Sequence, residues 1–137
     1  MTQIKIDHIA VVVDDIEPAL NFWHHALGLE LGGVENVPEE AVEVAFLEVA
    51  NAHIELVKPT TDNSGVAKYL AKKGAGMHHL CLQVEDIDAA LRQLADSGIE
   101  LINDTPRSKP NGTRYAFVHP KSTGGVLVEL YQKAAQG

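Results

Sequence analysis

The chain has one cysteine, no long hydrophobic run and a shortage of positive charge. A lone Cys81 excludes an internal disulfide framework and fits a reducing compartment. No apolar stretch approaches the ~20 residues needed to span a bilayer, and the opening MTQIKIDHI has no signal-peptide layout. A cytoplasmic protein without a membrane partner is therefore expected. The formal net charge of −8 argues against nucleic acid as the main ligand. A local basic patch is still available for a small phosphorylated ligand, because Arg107, Lys109, Arg114 and Lys121 gather late in the chain. At 137 residues the chain reads as one domain, long enough to bury a core without staples.

What the chain does have is an internal repeat. Residues 7–20 read DHIAVVVDDIEPAL and residues 78–91 read HHLCLQVEDIDAAL. Each copy opens with a histidine on an Ile/Val/Leu-rich strand, continues through two acids, and enters an apolar stripe at helical spacing. An aspartate at that junction can cap the first helical turn. In the first copy the strand covers about 4–13, and the helix carries Ile16, Leu20, Trp23 and Leu27 and stops at Gly28. Glu30 to Gly33 then leads into a turn, with a short strand near Leu29–Leu31. AVEVAFLEV at 41–49 and AHIELVKP at 52–59 are the next two strands. The second copy runs through a strand at 78–84, a helix ending at Gly98, and extended runs at 99–102, 114–120 and 125–132. A linking helix covers Val66 to Lys72. The expected fold is α+β, two tandem β-α-β-β-β modules forming a mixed, curved sheet. Module one covers about 4–59, the link about 63–73 and module two about 76–133 of a single domain.

Strand alternation gives each module one histidine and one carboxylate directed away from the aliphatic packing face. These are His8 and Glu55 in module one, and His79 and Glu129 in module two. Any one of them alone reads as an ordinary structural residue. Four at equivalent repeat positions read as ligands that a pseudo-twofold brings to one divalent ion, such as Co, Zn, Ni or Mn. His78 faces the opposite way from His79. His53 shares the Glu55 face and is a candidate to support it, His119 is a loop residue able to touch a ligand, and His24 and His25 decorate a helix surface.

The stretches IDHIAVVVDDIEPALNFW, VAKYLAKKGAGMHHLCLQVEDIDAA and FVHPKSTGGVLVELYQ resemble the vicinal oxygen chelate superfamily, and within it the methylmalonyl-CoA epimerases. The resemblance covers nearly the whole chain. GMHH and HPK…GVLVEL are its specific parts, since the first strand is shared across the superfamily. It implies paired modules around a metal, an isomerase acting on methylmalonyl-CoA, and a homodimer. His8, His79 and Glu129 match its metal ligands, and Glu55 stands where the epimerases carry Gln or Glu. Some members place a candidate base in the strand corresponding to 41–49. Val44 aligns there, with Glu43 one residue out of register. Either a bulge displaces Glu43 into the site, or Glu55 and Glu129 carry the proton. Lys121, Arg107 and Arg114 are candidates for the CoA phosphates. The competing readings are glyoxalase I (lactoylglutathione lyase), which moves a proton in a similar two-His, two-Glu site, and a non-catalytic ligand-binding member of the fold.

Overall fold

A computed structural model describes residues 3–134. The chain divides into two compact units: one runs from His8 to His78, and the other joins the segment up to Asp7 with the chain from His79 onward.

In the first unit β1 (Lys5–Val12) is followed by α1 (Ile16–Leu20), which widens into a π-helical turn at Asn21–Ala26. The N–H of Leu27 bonds the carbonyl of Phe22, five residues back, at 2.8 Å. Strands β2 (Glu30–Val37), β3 (Val42–Val49) and β4 (Ala52–Pro59) complete the module, in spatial order β2-β3-β4-β1. β4 runs parallel to β1 and antiparallel to β3. One face of this sheet packs on α1, burying Val13, Ile16, Leu20, Ala45, Leu47 and Leu56 together. The other face carries a smaller apolar group of Ala10, Val42, Val44 and Val57, against which Val66 of α2 (Gly65–Lys73) packs.

The second unit repeats this topology. β5 (Gly76–Gln83), α3 (Ile87–Asp96), β6 (Arg107–Ser108), β7 (Arg114–Val118) and β8 (Val128–Gln132) follow in sequence, with spatial order β5-β8-β7-β6. β8 is parallel to β5 and antiparallel to β7. Ile87 and Leu91 of α3 pack on Ala116, Val118 and Leu130.

Three local expectations change. Glu30 to Gly33 is not a turn. It lies inside β2, where Gly32 is an extra residue opposite β3 and the pairing steps from Leu31↔Leu47 to Gly33↔Phe46. Glycine is favoured at Gly33 by its φ of +146°, whereas a Cβ on Gly32 would meet only the end of the exposed Glu48 side chain, at 2.7 Å, which would have to shift. The extended run at 99–102 shrinks to a single bridge, Leu101↔Val118. Asn103 ends it, since its side-chain oxygen accepts the Phe117 N–H at 2.8 Å in place of a ladder bond, and pairing resumes only at β6. The third change concerns the aspartate caps. Asp86 accepts the Ala89 N–H at 3.1 Å, whereas Asp15 makes no such bond.

Candidate functional site

The two units hold their histidine and carboxylate in the same way. In the first, Glu55 lies across the parallel β1–β4 pair from Ala10, and His8 lies opposite His53. In the second, Glu129 lies across the parallel β5–β8 pair from Cys81. Each carboxylate therefore faces a small buried residue two positions beyond the strand histidine, which leaves room for the imidazole to reach it diagonally. His8 Nδ1 is 3.2 Å from Glu55 Oε2, and His79 Nε2 is 3.1 Å from Glu129 Oε1. All four side chains are largely withdrawn from solvent, Glu129 and His8 most of all.

A second equivalence was not read from the sequence. Phe46 pairs with Glu55 across β3–β4, and Phe117 pairs with Glu129 across β7–β8. Both carboxylates thus sit beside an aromatic ring, and Phe117 meets the His79 ring edge-on at 5.7 Å between centroids. The signal was present. Ala45-Phe46 and Ala116-Phe117 recur at the same offset as His8 and His79, on strands whose alternation turns the ring towards the site face.

One feature breaks the repeat. His53 Nε2 lies 3.1 Å from Glu55 Oε2, the oxygen that also faces His8, and its ring stacks on His8 at 5.4 Å. The residue two before Glu129 is Leu127.

The other sequence candidates fall as follows. Glu43 is on the α1-packing face of β3 with Ala45 and Leu47, and the β3–β4 register runs without a shift from Val42↔Pro59 to Val49↔Ala52. Val44 occupies the site face and is buried with Ala10 and Val57. His78 meets Tyr69 of α2 at 4.8 Å, edge to face. Arg114 clasps Asp88 with both guanidinium ends, at 2.8 and 3.0 Å. That pair raises the Arg114 pKa and holds the Asp88 carboxyl below its usual range. Arg107 and Lys121 are exposed. His119 accepts the Lys121 N–H through Nδ1 at 3.0 Å, and lies 3.4 Å from Glu100. Cys81 is fully buried and forms no disulfide. Among the described residues, no helix is long and apolar enough to cross a membrane.

Two ligand atoms each bound at about 2.0–2.2 Å to one ion are separated by roughly 3–3.5 Å. Each His–Glu pair has that spacing, and imidazole with carboxylate suits borderline divalent cations. On donor chemistry the residues fit a divalent metal.

Known proteins share this fold. Residues 7–117 match the family model described as the glyoxalase/bleomycin resistance protein/dioxygenase superfamily. The chain is 37% identical over 129 residues to the mitochondrial methylmalonyl-CoA epimerase of Bos taurus, covering 93% of this chain and 74% of that one. It is 37% identical over 130 residues to the ethylmalonyl-CoA/methylmalonyl-CoA epimerase of Cereibacter sphaeroides, covering 93% and 97%. A solved methylmalonyl-CoA epimerase in complex with methylmalonyl-CoA and NH4+ superposes with a TM-score of 0.84 at 34% identity, over 96% and 95% of the two chains. With the model match and these relatives spanning most of its length, the chain belongs to the glyoxalase/bleomycin resistance protein/dioxygenase superfamily.

Proposed function

We propose that this protein is an isomerase that interconverts (2R)- and (2S)-methylmalonyl-CoA. The observation that carries this is the matched placement of two carboxylates, Glu55 opposite Ala10 and Glu129 opposite Cys81, each beside a strand histidine. Epimerisation needs a base on one face of the α-carbon and an acid on the other, and two repeat-related carboxylates supply that pair. The epimerase names of relatives that span nearly the whole chain support the same substrate.

His8, Glu55, His79 and Glu129 would hold the divalent ion. When bound, a divalent ion supplies positive charge against the negative charge that builds on the substrate's oxygens as the α-proton leaves. The protein's own part is proton handling. One carboxylate accepts the α-proton and the other returns one to the opposite face, a contribution of typically ~10²–10⁴-fold. Both imidazoles converge on Glu55 Oε2, so Oε1 would be the oxygen that exchanges the proton. Val44, Val57 and Ala10 floor this face of the first unit with aliphatic surface, and a dry floor strengthens charge interactions above it. Lys121, Arg107 and Arg114 remain the proposed contacts for the CoA phosphates, with Arg114 required to share or exchange its hold on Asp88. The same reading makes the protein a cytoplasmic homodimer, which sedimentation at micromolar concentration tests.

The deciding experiment is to supply methylmalonyl-CoA of one configuration, and separately the hemithioacetal of methylglyoxal and glutathione, to metal-loaded protein. Epimerisation of the thioester with no hemithioacetal isomerisation is expected. The reverse result replaces this function with that of a lactoylglutathione lyase, and inertness towards both leaves a binding protein.

A further inference from the structure

The strand histidines meet different rings in the two units. In the first, the His53 ring stacks on His8, with 5.4 Å between centroids and 25° between planes. In the second, the residue two before Glu129 is Leu127, which offers no ring. His79 meets Phe117 instead, at 5.7 Å and nearly perpendicular, with 89° between planes. The neighbouring ring thus comes from β4, the carboxylate's own strand, in one unit and from β7, the strand beside the carboxylate, in the other. Phe46, the repeat counterpart of Phe117, meets His53 at 6.2 Å.

The backbone of Phe117 is tied on the side away from β8. Its N–H donates to Asn103 Oδ1 at 2.8 Å, and its carbonyl accepts the N–H groups of Ile102 at 2.9 Å and Asn103 at 3.3 Å. Phe117 and Glu129 therefore face each other as a non-hydrogen-bonded pair, the closer kind of antiparallel neighbour. Tyr115, two residues back on the same face of β7, meets the Phe117 ring at 6.2 Å. The ring is placed from several directions, and its contact with His79 has a consequence for ligation. An imidazole binds an ion through a lone pair in its own plane, so the tilt of the ring decides where that pair points. The 3.1 Å approach of His79 Nε2 to Glu129 locates one atom without setting the plane, and the outer torsion of histidine is broad. A perpendicular aromatic neighbour is a favoured arrangement and does set it. Binding geometries of this kind need holding to within about 10–20°.

We propose that Phe117 is a positioning residue that sets the plane of the His79 imidazole and so strengthens divalent metal binding, taking at His79 the place that His53 takes at His8. A phenyl ring has no donor or acceptor to offer, so its effect is exerted through the shape and orientation of the ring. This inference rests on the proposed function in taking His79 as a metal ligand, and it is independent of which thioester is the substrate.

The test reads metal affinity directly, by competition of the full chain with a chromophoric chelator for zinc and for cobalt. Phe117→Leu keeps an apolar side chain on β7 but removes the ring, and should weaken both ions by roughly three- to tenfold, the worth of an aromatic pair. Phe117→Met is a second ring-free variant, used if the leucine variant folds poorly. Phe117→Tyr keeps the ring and should stay within about twofold of wild type. The visible spectrum of the cobalt form should change in the ring-free variants and not in Phe117→Tyr, because its bands follow ligand orientation. Affinity and spectrum unchanged without the ring would make Phe117 ordinary packing and overturn the proposal. A raised KM for methylmalonyl-CoA with metal affinity intact would make it a wall of the substrate site and overturn it equally. The two readings fail separately. Protein whose metal affinity follows the ring but that does not epimerise loses only the activity; protein that epimerises with an affinity indifferent to the ring loses only the role of Phe117.

Discussion

His53 and His8 reach the same oxygen of Glu55: His53 Nε2 stands 3.1 Å and His8 Nδ1 3.2 Å from Oε2. The His53 hydrogen bond orients this carboxylate, and the His53 ring stacks on that of His8. Glu129 has leucine at the position matching His53. His53→Leu, which copies that arrangement into the first unit, should lower metal affinity or kcat by about 10–100-fold, the usual cost of losing such support. His53→Gln restores a donor of similar reach and should recover most of it. If the leucine variant matches wild type in both metal titration and turnover, His53 only packs.

Metal stoichiometry tests whether the two His–Glu pairs serve one ion. Elemental analysis of protein loaded with cobalt or zinc should give one ion per chain. His8→Ala and His79→Ala should each abolish it while cooperative unfolding survives. His78→Ala, whose ring packs on Tyr69, should keep its metal. Two ions per chain, each lost with one variant alone, would replace the shared site by two separate ones.

Proton transfer separates Glu55 from Glu43. In D₂O, epimerisation by wild type should place deuterium in the product ahead of the recovered substrate, because the acid exchanges with solvent while the base still holds the proton it took. Glu55→Gln should lose epimerisation yet exchange the α-proton of one stereoisomer, since Glu129 remains. Glu43 shares the Ala45 and Leu47 face, so Glu43→Gln should change neither rate by more than about twofold. The opposite pattern moves the second base to β3.

The Asp88–Arg114 fork gives a pH dependence of known sign. Asp88 is held below its ordinary pKa by the guanidinium hydrogen bond, so its contribution to stability is present above the unfolded carboxylate range and is lost as pH falls through the lowered folded value. Thermal melts of Asp88→Asn should therefore lie slightly below wild type at neutral pH and converge with it in strong acid. Both groups are open to solvent, and added salt should shrink the difference. A gap that widens on acidification would contradict the pairing.

The sequence by itself determined the repeat, the order of elements within each unit and the strand faces on which His8, Glu55, His79 and Glu129 lie. These are local properties: a strand's period of two decides which side chains share a face, and an apolar stripe at helical spacing decides which face a helix buries. The same periodicity placed His78 opposite His79. Tertiary structure decided everything that depends on register. Which residue stands across from a carboxylate, Ala10 or Cys81 on one side and Phe46 or Phe117 on the other, is fixed by hydrogen bonds between strands distant in the chain. Glu43 could be assigned to a face only once β3 was seen to pair with β4 without a shift. The paired glycines read as a turn because isolated Gly-Gly favours one, and only the pairing of β2 with β3 turns them into a bulge. Lys109 looked like one of several surface cations until the β6–β7 turn carried it between two tyrosines that lie on different strands.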